Sequence, residues 1–216
     1  MAGRITSLAY QKRNKDRVNV YLDGKFAFGL AVVEAARLQV GQTLSDEEIV
    51  KLRMRDEIER AYGRALDYLS YRPRSESEVR RNLRDKGAED QIIDVVIGRL
   101  KRASLLDDWE FARYWVDNRA RFNPRGLRGL RYELQHKGVS RDIIDDALAT
   151  LDVEAVARKT AEAGARRLSR EEPSVFRRKL QAYMARRGFS YAVVKPLVEE
   201  MVAERHCEED IESEER

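Results

Sequence analysis

The sequence predicts a mainly α-helical protein: tandem three-helix, helix-turn-helix-like repeats in an elongated array, preceded by a small N-terminal antiparallel β module. Three observations carry that expectation. Period-two alternation of apolar residues is confined to the start of the chain, the remainder repeats a helical apolar stripe, and only four prolines and twelve glycines punctuate 216 residues. With 43% hydrophobic against 37% charged residues and a mean hydropathy of −0.63, thin, solvent-washed helices fit better than one thick core.

In the N-terminal module Ile5, Ser7 and Ala9 alternate, then Val18, Val20 and Leu22, with Asn14-Lys15-Asp16 between them. Asp23-Gly24 is a second turn signal and precedes Phe26, Phe28 and Leu30. This reads as a three-strand meander. So small a sheet needs a lid, which a short helical stretch over 31–38 and the start of the next helix supply. Ser45 followed three residues later by Glu48 is a capping-box pattern and sets the start of a long helix near Asp46.

From there the sequence repeats. Gly87, Gly138 and Gly188 are 51 and 50 residues apart. The positions that follow them at one matching set of offsets are Ile92, Ile93, Val96, Ile97 and Leu100; Ile143, Ile144, Ala147, Leu148 and Leu151; and Val193, Val194, Leu197, Val198 and Met201. All are apolar and all fall on one helical face. Upstream, Val79 and Leu83, Leu130 and Leu134, and Leu180 and Met184 form a second stripe. Each glycine therefore sits just past a helix C-terminus, where a left-handed backbone is free of Cβ clash, behind a cation: Lys86, Lys137 or Arg187.

A third helical stretch leads each pair, over 57–70, 108–121 and 153–168, with Pro73, Pro124 and Pro173 at the breaks. The expected division is a β-rich module over 1–45, three-helix repeats over 46–103, 104–151 and 152–204, and an acidic, disordered end over 205–216. Each repeat leaves part of its stripe to be buried by the next, which predicts a radius of gyration above the roughly 17 Å of a compact chain of this length.

Composition narrows the function classes. A lone Cys207 offers neither an intramolecular disulfide nor a zinc-ligand set, and apolar runs such as Leu30 to Val33 are far too short to cross a membrane. A cytoplasmic monomer without cofactor, metal or membrane contact is expected. Residues 204–216 carry seven acids and two arginines, net −5, so the rest of a chain of net charge +4 carries +9. A basic body with an acidic end suits approach to phosphates or to an acidic protein surface; the plainer reading is that the end only keeps the chain solvated.

Catalytic constellations are scarce. No P-loop, dinucleotide fingerprint or HExxH occurs, and His136 beside Lys137-Gly138 reads as a helix-terminal cation. Asp107-Asp108 could hold Mg²⁺ for a nuclease, but adjacent residues diverge and an aspartate at a helix start is ordinarily a cap. Trp109, Phe111 and Trp115 could stack bases; their helical spacing with Ala112 and Val116 favours core packing for both tryptophans.

The basic residues are the informative set. Tyr71-Arg72-Pro73-Arg74 and Phe122-Asn123-Pro124-Arg125 are repeat-equivalent, and the helices behind them carry Arg80, Arg81 and Arg84, then Arg128 and Arg131. The third repeat adds Arg177, Arg178, Lys179, Arg186 and Arg187. Recurring offsets predict a periodic basic stripe, which calls for a periodic partner. Against this stands the ordinary alternative, a solvated face offset by neighbouring acids.

At these residues the chain resembles the RecX family of recombination regulators. The resemblance rests on residues 66–76 (LDYLSYRPRSE) with 79–83, on Leu105-Leu106-Asp107-Asp108 with Phe111-Ala112-Arg113 and Trp115-Val116, and on Pro124-Arg125-Gly126 with Leu134-Gln135-His136-Lys137-Gly138. It covers about residues 58–202, and 4–50 resemble the β-rich extension of some members. Glu171-Glu172-Pro173-Ser174 departs from the aromatic-x-Pro-Arg pattern in the third repeat.

The resemblance implies tandem three-helix repeats and a non-enzymatic modulator of recombination, DNA repair and the SOS response. Such a protein lies in the groove of the RecA filament on single-stranded DNA and restrains its growth, ATPase and strand exchange. The contacts it implies are chiefly Arg72, Arg74, Arg80, Arg81, Arg125, Arg128 and Arg131, to which the basic stripe adds Arg84, Arg177 and Arg178 as candidates. The alternatives are a stand-alone, non-specific DNA-binding protein and a metal nuclease built on Asp107 and Asp108. Sequence-specific readout is disfavoured because the second helices of the pairs offer mainly acids and apolar residues to base edges.

Overall fold

The structure is a computed structural model that describes residues 2–12 and 14–214, with side chains up to residue 205. The fold is mostly helical and forms two units, one of residues 1–74 and 78–106, the other of 75–77 and 107–216.

The first unit opens with β1 (Gly3–Tyr10), β2 (Arg17–Leu22) and β3 (Lys25–Ala31), followed by the single turn α1 (Val32–Ala35) and β4 (Thr43–Leu44). They make an antiparallel sheet of order β3-β2-β1-β4. The expected meander thus gains a fourth strand. Two residues show no alternation, and β4 exists because the chain returns along β1: the Ile5 N–H donates to the Gln42 carbonyl at 2.8 Å and the Gly41 N–H to that of Ile5 at 2.7 Å. The Asn14 side chain closes the first hairpin by accepting from the Asp16 N–H.

Helix α2 (Asp46–Ser70) begins with the expected capping box, Ser45 Oγ accepting from the Glu48 N–H while the Glu48 carboxylate accepts from the Ser45 N–H. Its first half packs Ile49 and Leu52 on Ile5, Val20, Leu30 and Leu44 of the sheet. Asp56, buried beneath, takes both Nη groups of Arg17 at 3.0 and 2.8 Å and the Ala31 N–H at 3.1 Å, and so fastens sheet to helix. The second half contributes Ala61 and Ala65 to a core with Val79 and Leu83 of α3 (Glu76–Asp85) and Ile93, Val96 and Leu100 of α4 (Asp90–Arg102). Only the first two residues of α3 group with the other unit.

The second unit continues with α5 (Asp108–Phe122), α6 (Leu127–His136), α7 (Arg141–Ala149), α8 (Val153–Arg167), α9 (Pro173–Arg186) and α10 (Tyr191–Glu214). Two cores result. Phe111, Ala112, Val116, Leu130, Leu134, Ile144 and Leu148 fill one; Ala157, Ala161, Phe176, Leu180, Met184, Val194 and Val198 fill the other. Trp109 departs from the core expectation, with 41% exposure: it sits on the first turn of α5, with the Arg113 guanidinium 4.7 Å from its ring.

The three glycine turns are one motif. Gly87, Gly138 and Gly188 have φ of 82°, 75° and 87°. In each turn the glycine N–H donates to the carbonyl three residues back and the next N–H to the carbonyl five back: Ala88 to Leu83, Val139 to Leu134, Phe189 to Met184. Those apolar pairs are buried, completing the Schellman cap. No described helix is long and apolar enough to cross a membrane. Beyond Arg205 the acidic end falls outside the residues whose side chains are described.

Candidate functional site

The ten expected contact arginines divide by what holds them. In the first unit Arg80 pairs with Asp94 at 2.6 Å and Arg84 with Asp90 at 2.7 Å. Arg72 forks onto Glu78 at 2.9 and 3.3 Å, and the Arg74 guanidinium stacks on the Tyr68 ring at 4.0 Å with its Nε buried and unpartnered. Arg81 is exposed and makes no polar contact with any described residue.

The second unit repeats the pattern in part. Arg131 pairs with Asp145 at 2.5 Å, the register equivalent of Arg80 with Asp94. Arg125, equivalent to Arg74, likewise buries an Nε without a hydrogen bond and lies 3.5 Å from the Glu133 carboxylate. That carboxylate also accepts from Trp115 Nε1 at 2.8 Å and Arg119 Nε at 2.7 Å. Arg128, Arg177 and Arg178 are exposed and without polar contacts among the described residues. The recurring stripe is therefore two kinds of arginine: pairs spent on local acids, and free ones, of which Arg128 and Arg178 share one register.

Two of the recurring motifs do different work from that expected of them. Gly126 at the head of α6 donates its N–H to the Arg187 carbonyl at 2.9 Å, and a Cβ at Gly129 would stand 2.6 Å from the same oxygen. Arg187 Nη1 reaches back to Asn123 Oδ1 at 2.9 Å and the Pro124 carbonyl at 3.1 Å. The x-Pro-Arg-Gly segment of this unit thus seats the next repeat's glycine turn. Ser75 plays the matching part within the same unit, its Oγ donating to the Lys137 carbonyl at 2.6 Å.

Asp107 accepts from the Trp109 and Glu110 N–H groups, the expected cap, and Asp108 accepts from the Glu76 N–H at 2.7 Å. Neither is left as a free carboxylate pair, and no group of three metal-ligating side chains occurs among the described residues. His136 Nδ1 lies 2.9 Å from the Tyr132 carbonyl. Trp115 is half-buried, with Lys137 Nζ at 4.3 Å and the Arg119 guanidinium at 4.4 Å from its ring, which is thus engaged within the protein. The most exposed aromatics among the described residues are Tyr71 and Phe122, 82% and 79% exposed at equivalent positions before the prolines.

Other charge is spent between helices. Arg158 of α8 forks onto Glu200 of α10 at 2.6 and 3.0 Å; the hydrogen bonds hold the Glu200 carboxyl below its ordinary range and push the guanidinium up. Sequence reasoning passed over a second set of cations, Arg53, Arg60 and Arg64, whose spacing of seven and four residues puts them on one face of α2. That spacing was the available signal.

Comparison with known proteins follows the same divisions. Residues 3–45 match the regulatory protein RecX N-terminal domain, and 61–100, 107–148 and 152–198 match the RecX first, second and third three-helix domains. The chain is 33% identical to "Regulatory protein RecX" of Bacillus subtilis (strain 168) over 215 residues, covering 97% of this chain and 81% of that protein. The protein of the same description from Limosilactobacillus reuteri (strain DSM 20016) is 32% identical, covering 96% and 80%. Among solved structures, a crystal structure of regulatory protein RecX superimposes with a TM-score of 0.72 at 30% identity, covering 91% of this chain and 98% of that one. RecX from Lactobacillus salivarius gives 0.60 at 27%, covering 68% and 97%.

Proposed function

The chain belongs to the RecX family of regulatory proteins, and from that premise we propose that it is a non-enzymatic cytoplasmic regulator of homologous recombination and DNA repair. It acts as a monomer on the RecA filament assembled on single-stranded DNA, lies in the filament's helical groove, and restrains growth, ATP hydrolysis and strand exchange. The observation that carries this reading is the unbroken succession of one small β domain and three three-helix domains, each matched in its own place to that family.

The free cations support it. Arg81, Arg128, Arg177 and Arg178 pair with no acid among the described residues and so are available to a partner, with Arg128 and Arg178 at equivalent steps of successive repeats. A partner built of identical subunits meets such a chain of repeats step by step. Arg80 and Arg131 contribute less, since leaving Asp94 and Asp145 offsets any new contact.

The test is RecA ATP hydrolysis on single-stranded DNA, titrated with the protein to one copy per recombinase subunit. Progressive inhibition is expected, weakened by Arg128→Gln with Arg178→Gln. Undiminished hydrolysis at that ratio overturns the reading, and with retained DNA binding it favours the stand-alone DNA-binding alternative.

A further inference from the structure

The first unit contains a cleft of about 400 Å³ that none of the ten expected contact arginines lines. Its walls are Arg53, Arg60 and Arg64 of α2, Lys86 beside the Gly87 turn, and Arg17 and Phe28 from the sheet. Along α2 the three arginines fall within about 20° of one line, and about 1.5 Å of rise per residue spreads them over about 16 Å.

Most of this charge is not cancelled within the protein. Arg17 is neutralised by Asp56. Two of the remaining wall cations meet carbonyl oxygens rather than acids: Arg53 Nη2 donates to Ala27 at 3.1 Å and Arg64 Nη1 to Lys86 at 3.3 Å. Such bonds orient a guanidinium and leave its charge whole. Arg60 makes no polar contact with any described residue, and Glu57 is the one carboxylate on the wall besides Asp56. Elsewhere in the molecule Arg80, Arg84, Arg99, Arg131 and Arg158 each have an aspartate or glutamate within 2.7 Å.

We propose that this cleft binds the phosphodiester backbone of a single nucleic-acid strand. A row of uncancelled cations on one helix face suits a polymer carrying a charge at every step, which it meets in any register; an acidic peptide presents its carboxylates in only one. The Phe28 ring is buried beneath the Arg53 guanidinium, 5.3 Å from its centroid, so no aromatic face is open to a base and recognition is of backbone, independent of sequence. A cleft of about 400 Å³ receives the backbone of one strand at a time. The site goes beyond the filament reading: it gives the β domain and α2 a ligand of their own, whether or not a recombinase is present.

The experiment is fluorescence anisotropy of a labelled twenty-residue oligo-dT with the full-length protein and no recombinase, across about 0.1 to 1 M salt. Arg60→Gln with Arg64→Gln is expected to lower the log-log salt slope by about 1.4, two single-strand phosphates at about 0.7 each, which is roughly 25-fold weaker binding at the low-salt end. Arg60→Lys with Arg64→Lys keeps the charge and should keep binding within about threefold, which separates loss of contact from loss of fold. An unchanged slope in the glutamine variant overturns the proposal. So does equal competition by poly-glutamate of the same length, which would assign the cleft to an acidic protein, or by dTMP at matched phosphate concentration, which would assign it to a free nucleotide. ATPase inhibition by the wild-type protein is scored separately, so failure of either reading leaves the other standing.

Discussion

Gly87 and Gly188 occupy the same turn in different repeats, and their surroundings separate two costs that a glycine usually confounds. Both hold a left-handed backbone, φ 82° and 87°. A Cβ at Gly87 would meet nothing within 4 Å, whereas one at Gly188 would overlap the backbone of Gly129. Gly87→Ala should therefore lose only the left-handed penalty, about 1 to 2 kcal/mol. Gly188→Ala should lose that and about 1 to 3 kcal/mol more, because backbone atoms rather than a flexible side chain must give way. Urea unfolding followed by circular dichroism compares the two, and the fluorescence of Trp109 and Trp115, both in the second unit, reports the second variant directly. Equal losses would show that the Gly126–Gly129 seat yields easily and does not fix how these repeats join.

At the scale of the element, the start of α2 is the most completely specified helix end in the chain. Ser45→Ala removes the oxygen that accepts from the Glu48 N–H and should cost about 1 kcal/mol near neutral pH. The bonds from Ser45 hold the Glu48 carboxyl below its ordinary 4.5. A carboxyl depressed in the folded state stabilises above the unfolded value and loses that contribution as pH falls through the folded one. Stability should therefore drop on acidification from about pH 5 toward 3, and Glu48→Gln should flatten this share of the drop in urea melts at each pH. Such ends were legible because a cap is local: Ser45 and Glu48 are three residues apart, and the Schellman partners around Gly87, Gly138 and Gly188 three to five. The apolar stripes were legible for the same reason. Strand β4 and the fate of the arginines were not, because they depend on which segment lies alongside. Arg80 and Asp94, like Arg131 and Asp145, are fourteen residues apart on different helices, and only the packing of α3 on α4 and α6 on α7 brings them together. Their identical separation in two repeats was a signal, readable once the repeat register was known.

For the whole molecule, charge matters more through its distribution than its total. The excess of +9 on residues 1–203 and −5 on 204–216 act oppositely on any polyanion that approaches. Local ion pairs remove Arg80, Arg84 and Arg131 from the far field, yet the α2 cleft and Arg81, Arg128, Arg177 and Arg178 keep their charge. A net-acidic terminal segment repels any phosphate that comes within about a Debye length of it, 10 Å at 0.1 M salt and 3 Å at 1 M. Removing residues 206–216 deletes six acids and one arginine. The shortened protein should bind oligo-dT more tightly and associate faster at about 0.1 M salt, with the difference vanishing near 1 M, because screening erases a through-space effect and leaves direct contacts in place. Stopped-flow anisotropy measures both quantities. A gain that persists at high salt would mean that the acidic segment occupies the cation sites outright; no gain at low salt would mean that it takes no part in the field the strand encounters.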